Sequence, residues 1–251
     1  MYWTSTTAGQ VSPAGLYSGL RLPGHRSVWA AYRTALFFAR SRFITMRSII
    51  YIDGFNLHYG GLKGGPYKWL DLERYFRLLR PHDDIQIIHY FSALISGPRR
   101  LNQQTYLKAL ETLPLVEIIL GRFKTKQIQC RVAQCTHTGN RFFPTPEEKR
   151  TDVNIAVYLL DDAYQDLADR FIIVSGDSDL VPALNRLKTR FPKKEIIVYV
   201  PSRSPVRGAA VELRAAADKH KVLPLHILPK AQFPPSIPDG AGGVLSKPTT
   251  W

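Results

Sequence analysis

Phe171-Ile172-Ile173-Val174-Ser175-Gly176-Asp177-Ser178-Asp179-Leu180 runs from four apolar residues into a small-residue turn that carries two carboxylates. The apolar run is short and rich in β-branched side chains, so it reads as a buried strand. Val181, Leu184 and Leu187 then recur at helical spacing. Strand, turn and helix make half of a βαβ unit. In an open parallel sheet, ligands sit beyond the carboxyl ends of the strands, where Asp177 and Asp179 fall. Two carboxylates held close together repel, and the simplest counter-charge is a hard divalent cation such as Mg²⁺ or Mn²⁺. The competing reading makes Asp177 a turn residue and Asp179 a helix N-cap.

A second strand end has the same character. Ser48-Ile49-Ile50-Tyr51-Ile52-Asp53-Gly54-Phe55-Asn56-Leu57 again carries an apolar strand into an Asp. A third acid, Asp152, stands in Glu147-Glu148-Lys149-Arg150-Thr151-Asp152-Val153-Asn154, at the start of an apolar-periodic helix whose repeat is Val153, Ala156, Val157, Leu160, Ala163, Tyr164 and Leu167. Three elements thus offer carboxylates that one sheet end could gather. Such a cluster suits metal-assisted phosphoryl chemistry better than it suits a turn.

Around these stretches, strands and helices alternate. The spacing predicts a strand over 47–53, a helix over 70–79, a strand over 84–94, a polar helix over 99–112 and a third strand over 115–120. After the strand at 171–174 come a fifth strand over 195–200, a helix over 209–219 and a short edge strand over 222–227, limited by Pro224. This order indicates an α/β fold with a parallel sheet and right-handed crossovers.

Residues 122–146 break the rhythm. Arg122, Lys124, Lys126, Arg131 and Arg141 interleave with Phe123, Phe142 and Phe143, and no acid appears before Glu147. Cations for phosphates and rings for bases are what a single-stranded nucleic acid groove uses. The alternative is a solvated basic hairpin with its Phe residues packed underneath. Cys130, Cys135 and His137 supply three zinc-type donors without a fourth, so free thiols are the expectation. Arg203 and Arg207, in the loop after the fifth strand, stand at the same edge as the acids and could hold a phosphate; solvated loop charges are the alternative.

Composition bounds the rest. The chain has 251 residues, 45% hydrophobic and 22% charged, which suits one globular domain with extensions. A formal net charge of +14 favours a polyanionic partner. No apolar stretch reaches the ~18 residues of a spanning helix, so no membrane partner is expected. Two cysteines fit a reducing compartment, and a cytoplasmic location is expected. Residues 1–45 contain no acid and five Arg. They read as a leader outside the fold, either a transit peptide or an upstream translation ahead of Met46. The domain is expected over 46–228. Residues 229–251, with five Pro and three Gly, read as a disordered tail.

With Asp53-Gly54-Phe55-Asn56, Glu148-Lys149-Arg150-Thr151-Asp152-Val153 and Ser175-Gly176-Asp177-Ser178-Asp179 in that order, the chain resembles the NYN family of PIN-like nucleases over residues 47–227. The resemblance implies a Rossmann-like three-layer α/β/α sandwich with a mainly parallel central sheet. It also implies metal-dependent RNA cleavage with Mg²⁺ or Mn²⁺, in which Asp53, Asp152, Asp177 and Asp179 are the metal-site acids and Asn56 and Ser175 their polar neighbours. The basic hairpin is not part of the shared pattern. RNA is the expected partner, single-stranded or looped because the hairpin suits unstacked bases; a homodimer is left open.

Other function classes remain in view. An RNA-binding or regulatory module with the same fold would bind without turnover. A phosphatase with Asp53 as nucleophile lacks the second Asp two residues on, where Phe55 stands. A dinucleotide-binding enzyme lacks the Gly-x-Gly-x-x-Gly turn after the first strand. The scattered histidines, His58 included, are read as structural.

Overall fold

The computed structural model describes residues 45–132, 134–203 and 211–251. The leader, but for Thr45, lies outside these residues, as does Arg207.

Six strands form one parallel sheet: β1 (Met46–Asp53), β2 (Asp83–Ser92), β3 (Val116–Leu120), β6 (Arg170–Val174), β7 (Glu195–Val200) and β8 (Lys219–Val222), in the spatial order β3-β2-β1-β6-β7-β8. Counted along the chain this is the doubly wound order 3-2-1-4-5-6, whose reversal lies between β1 and β6. β1 pairs with β2 through Ile52 opposite Tyr90, and with β6 through Ile52 opposite Val174. Asp53 and Ser175 therefore leave the sheet side by side.

Alternation along the strands divides the core in two. Ile50, Ile52, Ile172 and Val174 face one layer, with α2 (Leu72–Leu79) and α3 (Arg100–Glu111) supplying Tyr75, Phe76, Tyr106 and Leu110. Ile49, Tyr51, Phe171 and Ile173 face the other, where α4 (Thr151–Tyr164), α5 (Val181–Arg190) and α6 (Val211–Ala216) bring Ile155, Leu159, Leu184, Leu187 and Leu213. The result is the expected α/β/α sandwich. Among the described residues no helix is long and apolar enough to cross a membrane.

Three sequence expectations are corrected. On α4 the buried apolar positions are Ile155, Leu159 and Ala163, of which only Ala163 belongs to the expected repeat, whereas Val153, Val157 and Tyr164 are exposed. The buried stripe packs on Ile49, Tyr51, Phe171 and Ile173 and is in phase with Asp162, to whose carboxylate Tyr51 on β1 donates at 2.6 Å. The edge strand β8 ends at Val222, and the segment assigned to it continues instead as a 3₁₀ helix, Leu225–Ala231. Residues 229–251 are ordered. They form an antiparallel pair, β9 (Ser236–Pro238) with β10 (Val244–Ser246), and cover fully buried Trp69 with Phe233 at 5.5 Å and Trp251 at 6.5 Å between ring centroids. The Trp69 indole N–H donates to the Pro234 carbonyl at 2.7 Å. A few spaced aromatic anchors suffice, because a proline-rich chain loses less entropy on ordering.

The segment expected as a basic hairpin is β4 (Arg122–Gln129) paired antiparallel with β5 (Phe142–Lys149). It stands outside the main sheet.

Candidate active site

Asp53 ends β1 and caps a short helix, α1 (Gly54–Leu57): its Oδ1 accepts from the Asn56 backbone N–H at 2.9 Å. Its Oδ2 accepts from the Asn56 side-chain amide and from the Ser175 hydroxyl at 3.2 Å. Asn56 also accepts, through Oδ1, from Gly176 N–H at 3.1 Å. The Ser175 hydroxyl in turn accepts from Asp177 N–H at 3.1 Å. Asn56 and Ser175 thus lace the ends of β1 and β6 together. Gly176 is small for a reason: a Cβ there would approach Asn56 Oδ1 to 3.2 Å.

Asp177 is half-buried at the turn, and its Oδ1 accepts from Asp179 N–H at 3.0 Å, capping a 3₁₀ turn, Ser178–Leu180. The capping role weighed for Asp179 therefore belongs to Asp177, which keeps its other oxygen free of that bond. Asp179 is exposed. Asp152 lies in the first turn of α4, whose start is set by Arg150 in the left-handed region at φ 84° and by Glu148, which accepts from the backbone N–H and the hydroxyl of Thr151. A non-glycine residue at such a φ costs roughly 1 kcal/mol, and it turns the hairpin sharply into the helix.

The four acids share one electrostatic neighbourhood. Burial, then the charges of Asp177, Asp53, Glu148 and Asp179, push the Asp152 carboxyl up from 3.8 to about 6. Burial likewise raises Asp53, against the opposing effect of its Asn56 and Ser175 hydrogen bonds. None of Asp53, Asp152, Asp177 and Asp179 makes an ion pair among the described residues. Nor do any three acid, His or Cys side chains among those residues converge as a ready-made ion shell. What the cluster offers is hard oxygen donors and uncompensated negative charge, which fits Mg²⁺ or Mn²⁺.

The basic residues separate into groups. Arg122, Lys124 and Lys126 are exposed at alternate positions of β4, hence on one face of the hairpin. Lys124 and Lys126 stand opposite Glu147 and Thr145, so one acid tempers that face. Arg131 is exposed in the hairpin loop. Arg203 is exposed, and its guanidinium donates to the Gly61 carbonyl at 3.2 and 3.3 Å, bracing the π-helical turn His58–Leu62 that follows α1. Phe142 and Phe143 are exposed rather than packed underneath, whereas Phe123 meets Phe55 edge-on at 5.6 Å. Cys130 and Cys135 are free thiols, with Cys130 lowered by hydrogen bonds from Val132 and Cys135.

Glu148, at the end of β5 and four residues before Asp152, also belongs to the acid neighbourhood, and that spacing is its signal in the sequence. Phe55 and Tyr59, four residues apart just after Asp53, were passed over.

A doubly wound parallel sheet with acids gathered at its switch point defines a Rossmann-type, PIN-like sandwich. The model of the NYN domain family matches residues 47–224, and the chain belongs to that family. It is 29% identical over 240 residues to the 6-hydroxy-3-succinoylpyridine 3-monooxygenase HspA of Pseudomonas putida, covering 82% of this chain and 75% of the relative. A solved structure of a protein of unknown function from Vibrio parahaemolyticus is similar at a TM-score of 0.48 and 19% identity, covering 71% of this chain and 93% of that one.

Proposed function

We propose that the chain is a metal-dependent ribonuclease that hydrolyses phosphodiester bonds in single-stranded or looped RNA. The observation that carries this reading is the set of four carboxylates from three elements, at the sheet's switch point, none of them in an ion pair among the described residues. Asp53, Asp152 and Asp177 would hold Mg²⁺ or Mn²⁺, with Asp179 at the solvent side. A divalent cation bound there supplies Lewis-acid polarisation of the phosphodiester and lowers the pKa of an attacking water. Asn56 and Ser175 fix the Asp53 carboxylate by hydrogen bonds to both of its oxygens, so that it cannot rotate away from the site. Attack of water on phosphorus with departure of the 3′ oxygen leaves a 5′ phosphate and a 3′ hydroxyl. Arg122, Lys124, Lys126 and Arg131 offer phosphate contacts along the hairpin.

The test is cleavage of labelled single-stranded RNA with Mn²⁺ or Mg²⁺ against EDTA, comparing wild type with Asp177→Asn. Asn keeps an oxygen to accept from Asp179 N–H, so the turn survives while the charge is lost. Metal-dependent cleavage lost in the variant supports the reading; salt-sensitive RNA binding by a folded wild type that never cleaves supports the non-catalytic binding module instead.

A second reading rests on the similarity to the hydroxypyridine monooxygenase. Consumption of dioxygen with 6-hydroxy-3-succinoylpyridine and a two-electron donor, alongside absence of RNA cleavage, would favour it.

A further inference from the structure

Beside the acid cluster lies an aromatic surface that the core does not use. Phe55, two residues after Asp53, sets its ring nearly parallel to that of Tyr59, at 20° and 6.4 Å between centroids. Phe123, from the root of the hairpin, meets Phe55 edge-on at 82° and 5.6 Å. None of the three belongs to either hydrophobic core cluster. Tyr59 is 61% exposed. A ring that exposed, in contact with other rings and outside both core clusters, offers its face as a platform.

Its surroundings are cationic. Lys63 Nζ lies 4.8 Å from the Tyr59 ring centroid. Burial, and after it the charges of Lys68, Lys63 and Arg99, lower the His58 imidazole, whose ring meets Tyr59 at 5.2 Å. Lys63, Lys68 and Arg99 make no ion pair among the described residues. Flat apolar faces, unpaired cations and an acid cluster two residues away along the chain match the parts of a nucleotide: a base to stack, flanking phosphates to neutralise, and a phosphodiester at the acids.

We propose that the Phe55–Tyr59 shelf, buttressed by Phe123, is a stacking subsite for an unpaired nucleobase next to the scissile phosphate. This rests on the phosphodiesterase reading and adds to it the reason for single-strand selectivity: a base still stacked in a duplex cannot lie on the shelf. Stacking reads the ring face and ignores the sugar, so the shelf accepts any base, on a ribose or a deoxyribose chain. Selectivity for RNA has to come from elsewhere in the site.

The experiment uses the full chain carrying Asp177→Asn to prevent turnover, with fluorescein-labelled uridine hexanucleotides read by anisotropy: one intact, others with an abasic nucleotide at each position in turn, and the intact deoxy counterpart. The intact chain is expected to bind more tightly than one particular abasic chain, and Tyr59→Ala to weaken intact binding by about 5- to 100-fold and erase that discrimination. Tyr59→Phe and Tyr59→Trp are expected to retain both. The same dependence on Tyr59 is expected for the deoxy chain. Binding by Tyr59→Ala within about twofold of its parent, while wild type cleaves RNA, overturns the shelf and leaves the nuclease reading standing. Tyr59-dependent discrimination in a protein that never cleaves overturns the nuclease reading and leaves the shelf. Uptake of 6-hydroxy-3-succinoylpyridine without oligonucleotide binding overturns both. Because Tyr59 is exposed and outside the core, its substitutions leave the fold intact, which circular dichroism checks.

Discussion

Asp152→Asn should make the metal-free protein more stable while disabling it. The wild-type carboxyl is pushed from 3.8 to about 6 by burial and by four neighbouring acids. At ~1.4 kcal/mol per pKa unit, two units correspond to about 3 kcal/mol of strain borne by the charged form. The side chain is only half-buried, so solvent screening reduces this to about 1–2 kcal/mol. For a folded unit of this size, that is a rise of roughly 3–6 °C in Tm at pH 7.5 in EDTA. The sign follows from linkage: the folded pKa lies above the unfolded one, so the penalty is full above about 6 and is relieved as pH falls toward about 4. The stability advantage of the variant should therefore be present at pH 7.5 and absent near pH 4.

Saturating Mg²⁺ or Mn²⁺ should reverse the order at neutral pH. A cation that binds only the folded state stabilises it by RT ln(1 + [L]/Kd), and wild type gains more than a variant with one carboxylate fewer. The assay is differential scanning fluorimetry of both proteins, with EDTA or metal, at the two pH values. A variant no more stable than wild type at pH 7.5 in EDTA would refute the idea that these acids are held together against their own repulsion.

Three further outcomes are expected. Asp83→Asn takes the only ion-pair partner among the described residues from Arg80 and one of two carboxylates from Arg170, which approach it at 2.9 and 2.6 Å, and should cost about 3 kcal/mol, seen as a lower urea midpoint. Burial alone would raise Asp83, but hydrogen bonds from Arg80, Ser48 and Arg170 prevail and hold it below its usual value; its contribution to stability is present above about 4 and lost as pH falls, so the deficit of the variant should shrink in acid. Phe233→Ala uncovers Trp69 and should cost about 3 kcal/mol, with a red shift of tryptophan emission, measured by thermal unfolding and fluorescence. Tyr51→Phe removes the donor 2.6 Å from buried Asp162, and a cost of about 1–3 kcal/mol is expected by chemical denaturation.

The sheet was legible because its strands announce themselves locally. Ile49 to Ile52, Phe171 to Val174 and Ile196 to Val200 are continuous apolar runs, as strands covered on both faces must be, and they stop at Asp53, Ser175 and Pro201. Strand ends with acids were legible for the same reason. The phase of α4 was not, because Val153, Val157 and Tyr164 recur at the same helical spacing as the buried Ile155 and Leu159, and the sheet residues that cover the latter, Ile49, Tyr51 and Phe171 among them, come from distant parts of the chain. The order of residues 229–251 was hidden by averaging: composition counts Pro and Gly, whereas Trp69 finds Phe233 and Trp251 individually. Arg203 looked free because the Gly61 carbonyl that receives it lies 142 residues away along the chain.

What sequence could not separate is the acids that build the fold from those that crowd its switch point, since both kinds stand next to strands. The structure separates them by partner. At the amino edge of the sheet the partly buried acids are matched: Asp169 meets Arg47 at 2.8 Å, Asp83 lies between Arg80 and Arg170, and Glu195 is reached by Arg170 at 2.6 Å and by Lys219. At the carboxyl edge, Asp53, Asp152, Asp177 and Asp179 receive amides, hydroxyls and backbone N–H groups but no cation among the described residues. Arg170 and Asp177 belong to the two ends of one strand and its turn, and they are treated in opposite ways. A chain with a net charge of +14 has cations to spare, so leaving that one edge unmatched is not a shortage of Lys and Arg. Unrelieved repulsion lowers stability wherever it serves nothing, and it persists where a ligand of opposite charge completes the site. If the proposed nuclease reading holds, the cations of the hairpin and those around Tyr59 are where a polyanion would lie to bring one of its phosphates to the acids.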